Sequence, residues 1–168
     1  MQIRFAGNAF SPTNASGRLA AVQVRGVNVA LTNLTVLAAE AGGVEIDGGG
    51  RRTLEDSLIA GSGGTAVRVD NGQAIITDTG LIGGQIGVLV DPGEQANVTG
   101  SAFGGFSDVA VRNDNNTFAN AIFLGNWWGS PGGPNDVSPL DGVLNNSPAG
   151  EAVSDYDSIS DWLTKPQP

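Results

Sequence analysis

The sequence contains no cysteine and no histidine. Without cysteine, the chain can form neither a disulfide nor a thiolate metal site. Without histidine, it lacks the commonest general base and the commonest zinc ligand. Most familiar catalytic constellations are therefore excluded, and we expect no catalytic residues of these classes.

Positive charge is also scarce. Eight basic residues stand against 17 acidic ones, the net charge is −9, and the only lysine is Lys165. Nucleic-acid backbones and anionic lipid surfaces attract clustered lysine and arginine. We therefore expect no nucleic-acid partner. No apolar run approaches the length of a bilayer span, so we also expect no membrane insertion.

Short β-branched runs are abundant, and they recur about every 22 residues. The pattern Val-x-(Val/Ile) occurs at Val22/Val24, Val44/Ile46, Val67/Val69, Val88/Val90 and Val109/Val111, at intervals of 22, 23, 21 and 21 residues. A fixed period of this size is typical of solenoids, in which each repeat covers the apolar face of its neighbour. The apolar residues alternate and 26 glycines interrupt them, which favours strands and turns over helices.

A second set of apolar pairs supports the same period. Its members lie five residues apart, at Phe5/Phe10, Leu31/Val36, Leu54/Ile59, Ile76/Leu81, Val98/Phe103 and Phe123/Trp128. Two residues after each first member comes a residue that tolerates a left-handed backbone, namely Gly7, Asn33, Asp56, Asp78, Gly100 or Gly125. We call these six residues the bend column, because a tight bend between two strands needs such residues.

The two patterns predict an all-β fold, a right-handed parallel β-helix. We expect a single-stranded solenoid of about six coils over residues 1–134, with an incomplete first coil. The preference for right-handed connections between parallel strands gives the handedness. Residues 135–168 are expected to form an irregular C-terminal cap, with apolar anchors at Tyr156, Ile159, Trp162 and Leu163. An uncovered first coil, beginning near Phe5, predicts self-association through that end.

The end of the repeats resembles a motif of β-helix domains in bacterial and archaeal cell-surface proteins. That motif reads Asn-(Trp/Tyr)-Trp-Gly-x-x-x-Gly-Pro and is followed later by Asp-Tyr-x-x-Trp-Leu. The matching positions here are Asn126-Trp127-Trp128-Gly129, Gly133-Pro134, Asp155-Tyr156 and Trp162-Leu163, with additional residues inserted in the second element. The resemblance implies an extracellular or cell-surface module, secreted or surface-attached. Such domains occur in adhesins and in carbohydrate-processing enzymes alike, so fold does not fix activity.

Asp47, Asp70 and Asp91 follow the paired valines or isoleucine in three consecutive coils. Carboxylates stacked at coil spacing repel one another unless a cation or an arginine compensates, and hard oxygen ligands suit Ca²⁺. The pattern places Arg25 and Arg112 at the equivalent positions on either side. We therefore consider two hypotheses, a calcium site along this Asp column or aspartates that cap their own turns.

Trp127, Trp128, Arg68 and Arg112 are the candidate glycan contacts. Aromatic rings stack on sugars, but adjacent strand residues point to opposite faces, so one of the two tryptophans is expected to plug the core instead. Asp56 and Asp78 neighbour each other in the bend column and could form the carboxylate pair of a glycosidase, although the bend itself accounts for both.

Three functional hypotheses follow. The first is a non-enzymatic surface module for adhesion, glycan contact or assembly, with a polysaccharide or cell-surface glycan as partner. The second is a polysaccharide lyase or glycosidase, which would need Arg68 or Arg112 beside the Asp column. The third is a structural solenoid that stacks end to end into oligomers or fibres. The sequence favours the first, with no resident cofactor other than a candidate Ca²⁺.

Overall fold

The computed structural model describes residues 2–4, 20–25, 28–115, 117–136, 147–154 and 157–166, with the backbone alone for 2–4 and 118. These residues form fourteen strands, β1 (Gln2–Arg4), β2 (Val22–Val24), β3 (Val29–Thr32), β4 (Thr35–Leu37), β5 (Val44–Ile46), β6 (Arg51–Glu55), β7 (Leu58–Ala60), β8 (Thr65–Val69), β9 (Gln73–Thr77), β10 (Gly80–Val90), β11 (Gln95–Thr99), β12 (Ala102–Asn113), β13 (Ala121–Leu124) and β14 (Ser158–Ser160). A 3₁₀ turn covers Phe118–Asn120. No helix among the described residues has the length and apolarity needed to cross a bilayer.

The strands stack in parallel on three faces of a solenoid. The first face holds β2, β5, β8 and the C-terminal parts of β10 and β12. The second face holds β3, β6, β9, β11, β13 and β14, and the third holds β1, β4, β7 and the N-terminal parts of β10 and β12. The predicted all-β parallel solenoid is confirmed. Within the described residues the structure shows about four turns rather than the six expected.

The core fills the inside of the coils. Fully buried side chains from all three faces stack in columns, among them Val44, Val67, Val88 and Val111 on the first face and Leu54, Ile76, Val98 and Phe123 on the second. Burying each such side chain contributes roughly 1.5–3 kcal/mol. The core becomes aromatic toward the C-terminal end, where the rings of Phe103 and Trp128 stack with centroids 4.6 Å apart.

The bend column behaves as predicted in every described coil. Asn33, Asp56 and Asp78 have φ values of 54°, 49° and 47°, and Gly100 and Gly125 have 63° and 61°. Gly7, Phe5 and Phe10 lie outside the described residues. Ile3 pairs with Val36, which is the register position that the sequence pattern gave to Phe10. The chain therefore reaches the third face seven residues earlier than that alignment implied.

A buried polar ladder runs directly behind the bend column. Its rungs are Ser57, Thr79, Ser101 and Asn126. The N–H of Leu34 donates to Ser57 Oγ at 3.0 Å, and the N–H of Thr79 donates to Ser101 Oγ at 3.2 Å. Asn126, which is fully buried, accepts from the N–H of Ser101 at 2.8 Å and donates to Val98 O at 3.0 Å. The ladder satisfies backbone groups that the bends leave unpaired inside the protein.

The register between β10 and β12 on the first face differs from the sequence pattern. Val88 pairs with Val111 and Val90 with Asn113, so the repeat continues at Val111/Asn113 instead of Val109/Val111. Alternating valines fit either register equally well, because a two-residue shift leaves the same side chains pointing inward.

The C-terminal segment continues the stack in part. Val153 bridges Val111 on the first face, and β14 pairs with β13 on the second. Ile159 and Trp162 pack against the core, whereas Tyr156 lies outside the described residues. Asp161, two residues after Ile159, adopts φ 54° and so repeats the geometry of the bend column.

Candidate ligand-binding groove

Arginine side chains meet the carboxylates of the Asp column on the first face. The N–H groups of Asp47, Asp70 and Asp91 donate to carbonyls one coil earlier, which places the three residues in one line. Arg68 Nε lies 2.9 Å from Asp91 Oδ2 and 3.8 Å from Asp70 Oδ1, so one guanidinium joins two coils. Arg25 Nε lies 3.3 Å from Asp47 Oδ2. Arginines thus offset the repulsion that stacked carboxylates would otherwise cause.

Arg112 does not occupy the position that the sequence pattern gave it. It pairs with Leu89 across the strands, which puts it in the outward row of Arg68, whereas Asp114 takes the next place in the Asp column. Arg112 Nε donates to Asp114 Oδ1 at 2.8 Å. That hydrogen bond, together with the charge of Asp114, raises the pKa of Arg112 above its ordinary value. Arg112 and Arg68 are both engaged within the coil stack, which weakens the case for either as a glycan contact.

The Asp column lacks a metal-binding cluster within the part of the chain that the structure describes. No group of three or more carboxylate, histidine or cysteine residues there is arranged to hold a metal ion. Ca²⁺ prefers six to eight oxygen ligands, and the aspartates of this column are each turned toward an arginine. The geometry favours the compensating arginines over a calcium ion, which stays a hypothesis for this column.

Trp128 is fully buried in the aromatic end of the core. It stacks on Phe103, and its ring centroid lies 5.9 Å from that of Phe123. This placement removes Trp128 from the candidate glycan contacts. Trp127 points the other way, as the alternation of strand residues requires, and is partly exposed.

Trp127 ends a groove that runs along the third face. The groove has a volume of about 840 Å³ and crosses several coils, from Asn33 at one end to Trp127 at the other. One row of its floor is set by strand pairing, and this floor row consists of Thr35, Leu58, Gly80, Ala102 and Trp127. The row carries no charge. Gly80 and Ala102 are small, which leaves the floor low between Leu58 and Trp127.

The bend column forms one wall of the groove. Asp56 and Asp78 are exposed there, in adjacent coils, beside Asn33 and Gly100. Neither aspartate forms a salt bridge with a described residue. The Cβ of a residue other than glycine at Gly100 would lie 2.5 Å from Asp78 Oδ1, so the glycine makes room for that carboxylate. Ile82, 48% exposed, borders the groove.

The groove contains only some of the candidate site residues that the sequence patterns indicated. Trp127 is included, whereas the Asp column, Arg68 and Arg112 belong to the first face. Asp56 and Asp78 were visible as a pair, but the floor row was not identified from the sequence. Its signal is a column of small or apolar residues one position before each inward residue, as in Leu58 before Ile59 and Gly80 before Leu81.

The comparisons with known proteins agree with this architecture. Residues 20–130 match the family model described as a right-handed β-helix region. The match covers more than half of the sequence, and the chain belongs to this family. Searches of curated proteins and of solved structures each find no match.

Proposed function

We propose that the protein is a non-enzymatic, secreted or cell-surface β-helix module that binds an extended glycan along the groove of the third face. The observation that carries the proposal is the uncharged floor row, which ends at Trp127 beside the carboxylates of Asp56 and Asp78, neither of which forms a salt bridge with a described residue. Sugars combine apolar ring faces with hydroxyl groups. An aromatic ring suits the first and carboxylate acceptors suit the second.

The direction of the groove supports a polymeric ligand. The groove follows the stacking axis, so a linear chain lying in it would meet the same bend geometry once per coil, about every 4.8 Å. The net charge of −9 disfavours strongly acidic polysaccharides, because the wall residues would repel them. Neutral or amino-sugar polymers fit the groove better.

Binding can be tested by calorimetry or affinity electrophoresis against a panel of soluble neutral, amino-sugar and acidic polysaccharides. We expect at least one neutral or amino-sugar polymer to bind and Trp127→Ala to weaken it roughly tenfold, or about 1.4 kcal/mol. Leu124→Ala is the matched control, since Leu124 is an exposed apolar residue on the second face. Equal binding by the two variants, or binding of no polymer by the parent protein, would contradict the proposal.

A glycosidase is the second candidate, because Asp56 and Asp78 both face the groove. Catalytic carboxylates normally flank the scissile bond, however, and these two lie in one column on one wall. We therefore rank binding above hydrolysis. Release of reducing ends from a bound polymer, abolished in a D56N/D78N variant, would reverse that order. Asparagine tolerates the left-handed backbone, so this variant should keep the bends.

A further inference from the structure

One position inside the solenoid departs from its neighbours. The first inward residues of the second-face strands form a column by strand pairing, which consists of Val29, Arg52, Ala74, Ala96 and Ala121. The three alanines are fully buried, and Arg52 is only 2% exposed. A buried arginine in an apolar column is costly unless its charge and its N–H groups are satisfied.

The guanidinium of Arg52 lies beneath the turn of residues 48–50. Its Nη1 donates to Gly50 O at 2.9 Å. A Cβ on Gly72 would stand 2.6 Å from Nη1, and a Cβ on Gly48 would stand 3.5 Å from Nη2. The group is therefore held between two consecutive glycine turns. Nε and Nη2 are enclosed and have no hydrogen-bond acceptor among the described residues.

The equivalent turns of the later coils, between the first and second faces, have a side-chain acceptor that the turn of residues 48–50 lacks among the described residues. The N–H of Gly72 donates to the carboxylate of Glu94, and the N–H of Gly93 donates to Asn115 Oδ1 at 2.7 Å. Each of these turns thus receives an oxygen acceptor from the following coil. Gln73 pairs with Gln95, so the residue equivalent to Glu94 one coil earlier is Gly72, which has no side chain. Among the described residues, the N–H groups of turn 48–50 have no such acceptor.

Charge leads to the same conclusion. Arg25, Arg68 and Arg112 each contact a carboxylate, whereas Arg52 contacts a neutral carbonyl alone within the described chain. We propose that the corner formed by turn 48–50 and Arg52 binds one halide-sized anion, ordinarily chloride, between Arg52 and the turn amides. The enclosure of Nε and Nη2 favours a small ion over a bulky oxyanion. Successive backbone N–H groups in glycine-rich turns form concavities that bind anions.

Two measurements test the site. Bromide soaked into crystals of the full chain should give an anomalous peak within hydrogen-bond distance of Arg52 Nε or Nη2. In solution, the melting temperature should rise and saturate as chloride replaces gluconate at constant ionic strength, since an ion that binds only the folded state stabilises it. Sulfate at equal ionic strength should give a smaller rise. A sulfate effect as large as that of chloride would overturn the halide assignment.

The matched variants are Arg52→Met and Arg51→Met. Arg51 is the exposed neighbour in the same strand, so each variant loses one positive charge at nearly the same place in the fold. We expect Arg52→Met to lose the chloride dependence and Arg51→Met to keep it. The proposal is overturned if both variants respond to chloride alike, or if the parent protein shows no chloride dependence and no bromide peak at Arg52. The bromide and chloride measurements on the parent protein stand even if Arg52→Met fails to fold.

Discussion

The first and third faces of the same coils carry their charges in different ways. On the first face, Arg68 and Arg112 lie in the outward row and contact aspartates of the Asp column or of its continuation at Asp114. On the third face, the floor row is uncharged and the carboxylates of Asp56 and Asp78 stand at its edge without a salt bridge to a described residue. The first face thus carries more charged residues, and its arginines and aspartates are paired with one another.

This difference is why we propose a ligand on the uncharged third face and not beside the charged columns of the first face. Equivalent residues of successive coils lie about 4.8 Å apart, so a column of like charges needs opposite charges beside it within the protein. Uncharged columns need no such partners and stay available to a ligand. Four experiments can break or sharpen the comparison between the two faces.

The largest effect is expected at the two adjacent tryptophans, of which Trp127 ends the groove and Trp128 fills the core. Trp128→Ala should lower the free energy of unfolding by about 3–5 kcal/mol, because it empties the aromatic end of the core. Trp127→Ala should cost less than about 1 kcal/mol, since surface substitutions outside such features have small effects. Urea denaturation of both variants measures the difference. Similar losses in the two variants would mean that Trp127 supports the fold rather than a ligand.

The next largest effect on stability is expected at Gly100, in a bend beside the groove, and is compared with Gly93, in a turn between the first and second faces. Gly100→Ala should destabilise by about 1–2 kcal/mol through its left-handed backbone, and it should also displace the Asp78 carboxylate from the groove wall. Gly93→Ala is the control, because its φ is 91° but a Cβ there would meet nothing within 4 Å. Both losses can be read from thermal unfolding. Only Gly100→Ala should alter polysaccharide binding, and an equal change in both would contradict the role given to Asp78.

A smaller effect distinguishes two arginines of the first face. The side chain of Arg68 is 24% exposed and joins two coils, so Arg68→Met should cost about 1–2 kcal/mol. The side chain of Arg112 is 51% exposed, and surface pairs of this kind contribute about 0–1 kcal/mol. Denaturation at low and high salt checks both values. A greater loss for Arg112→Met would show that its pairing with Asp114 is structurally the more important.

The smallest effect is expected from calcium. Because arginines already compensate the Asp column, neither excess Ca²⁺ nor EDTA should change the melting temperature. Differential scanning calorimetry provides the measurement. A Ca²⁺-dependent rise that disappears in an Asp70→Asn variant would establish the calcium site instead.

The bend column was predictable because its requirement is local. A left-handed φ admits few residue types, so Asn33, Asp56 and Asp78 carried the signal without any knowledge of their neighbours. The same rule would have found Asp161, two residues after Ile159, and with it the return of the chain to the stack. The polar ladder also left a trace, in the Ser, Thr, Ser and Asn that follow the bends at 57, 79, 101 and 126.

The remaining features depended on packing between coils. The alternating valines at 109 and 111 fit two strand registers equally well. The sequence therefore did not show that Asn113, and not Val111, pairs with Val90. The orientation of Arg52 was likewise hidden, since an arginine in a strand is ordinarily expected on the outside. The groove is produced by small residues at Gly80 and Ala102, and a depression between coils cannot be deduced from one coil alone.

Five residues separate the two inward positions that flank each bend, from Leu31/Val36 to Phe123/Trp128, whereas the distance from the first face to the second varies. Ile46 to Leu54 spans eight residues and Asn113 to Phe123 spans ten, and the longer connection contains the 3₁₀ turn. Differences in coil length are thus absorbed away from the groove. A periodic ligand lying on such an evenly spaced surface would stay in step with the bends whichever coil it started from. The floor row changes from coil to coil, so contact with Trp127 would select one register among the evenly spaced ones.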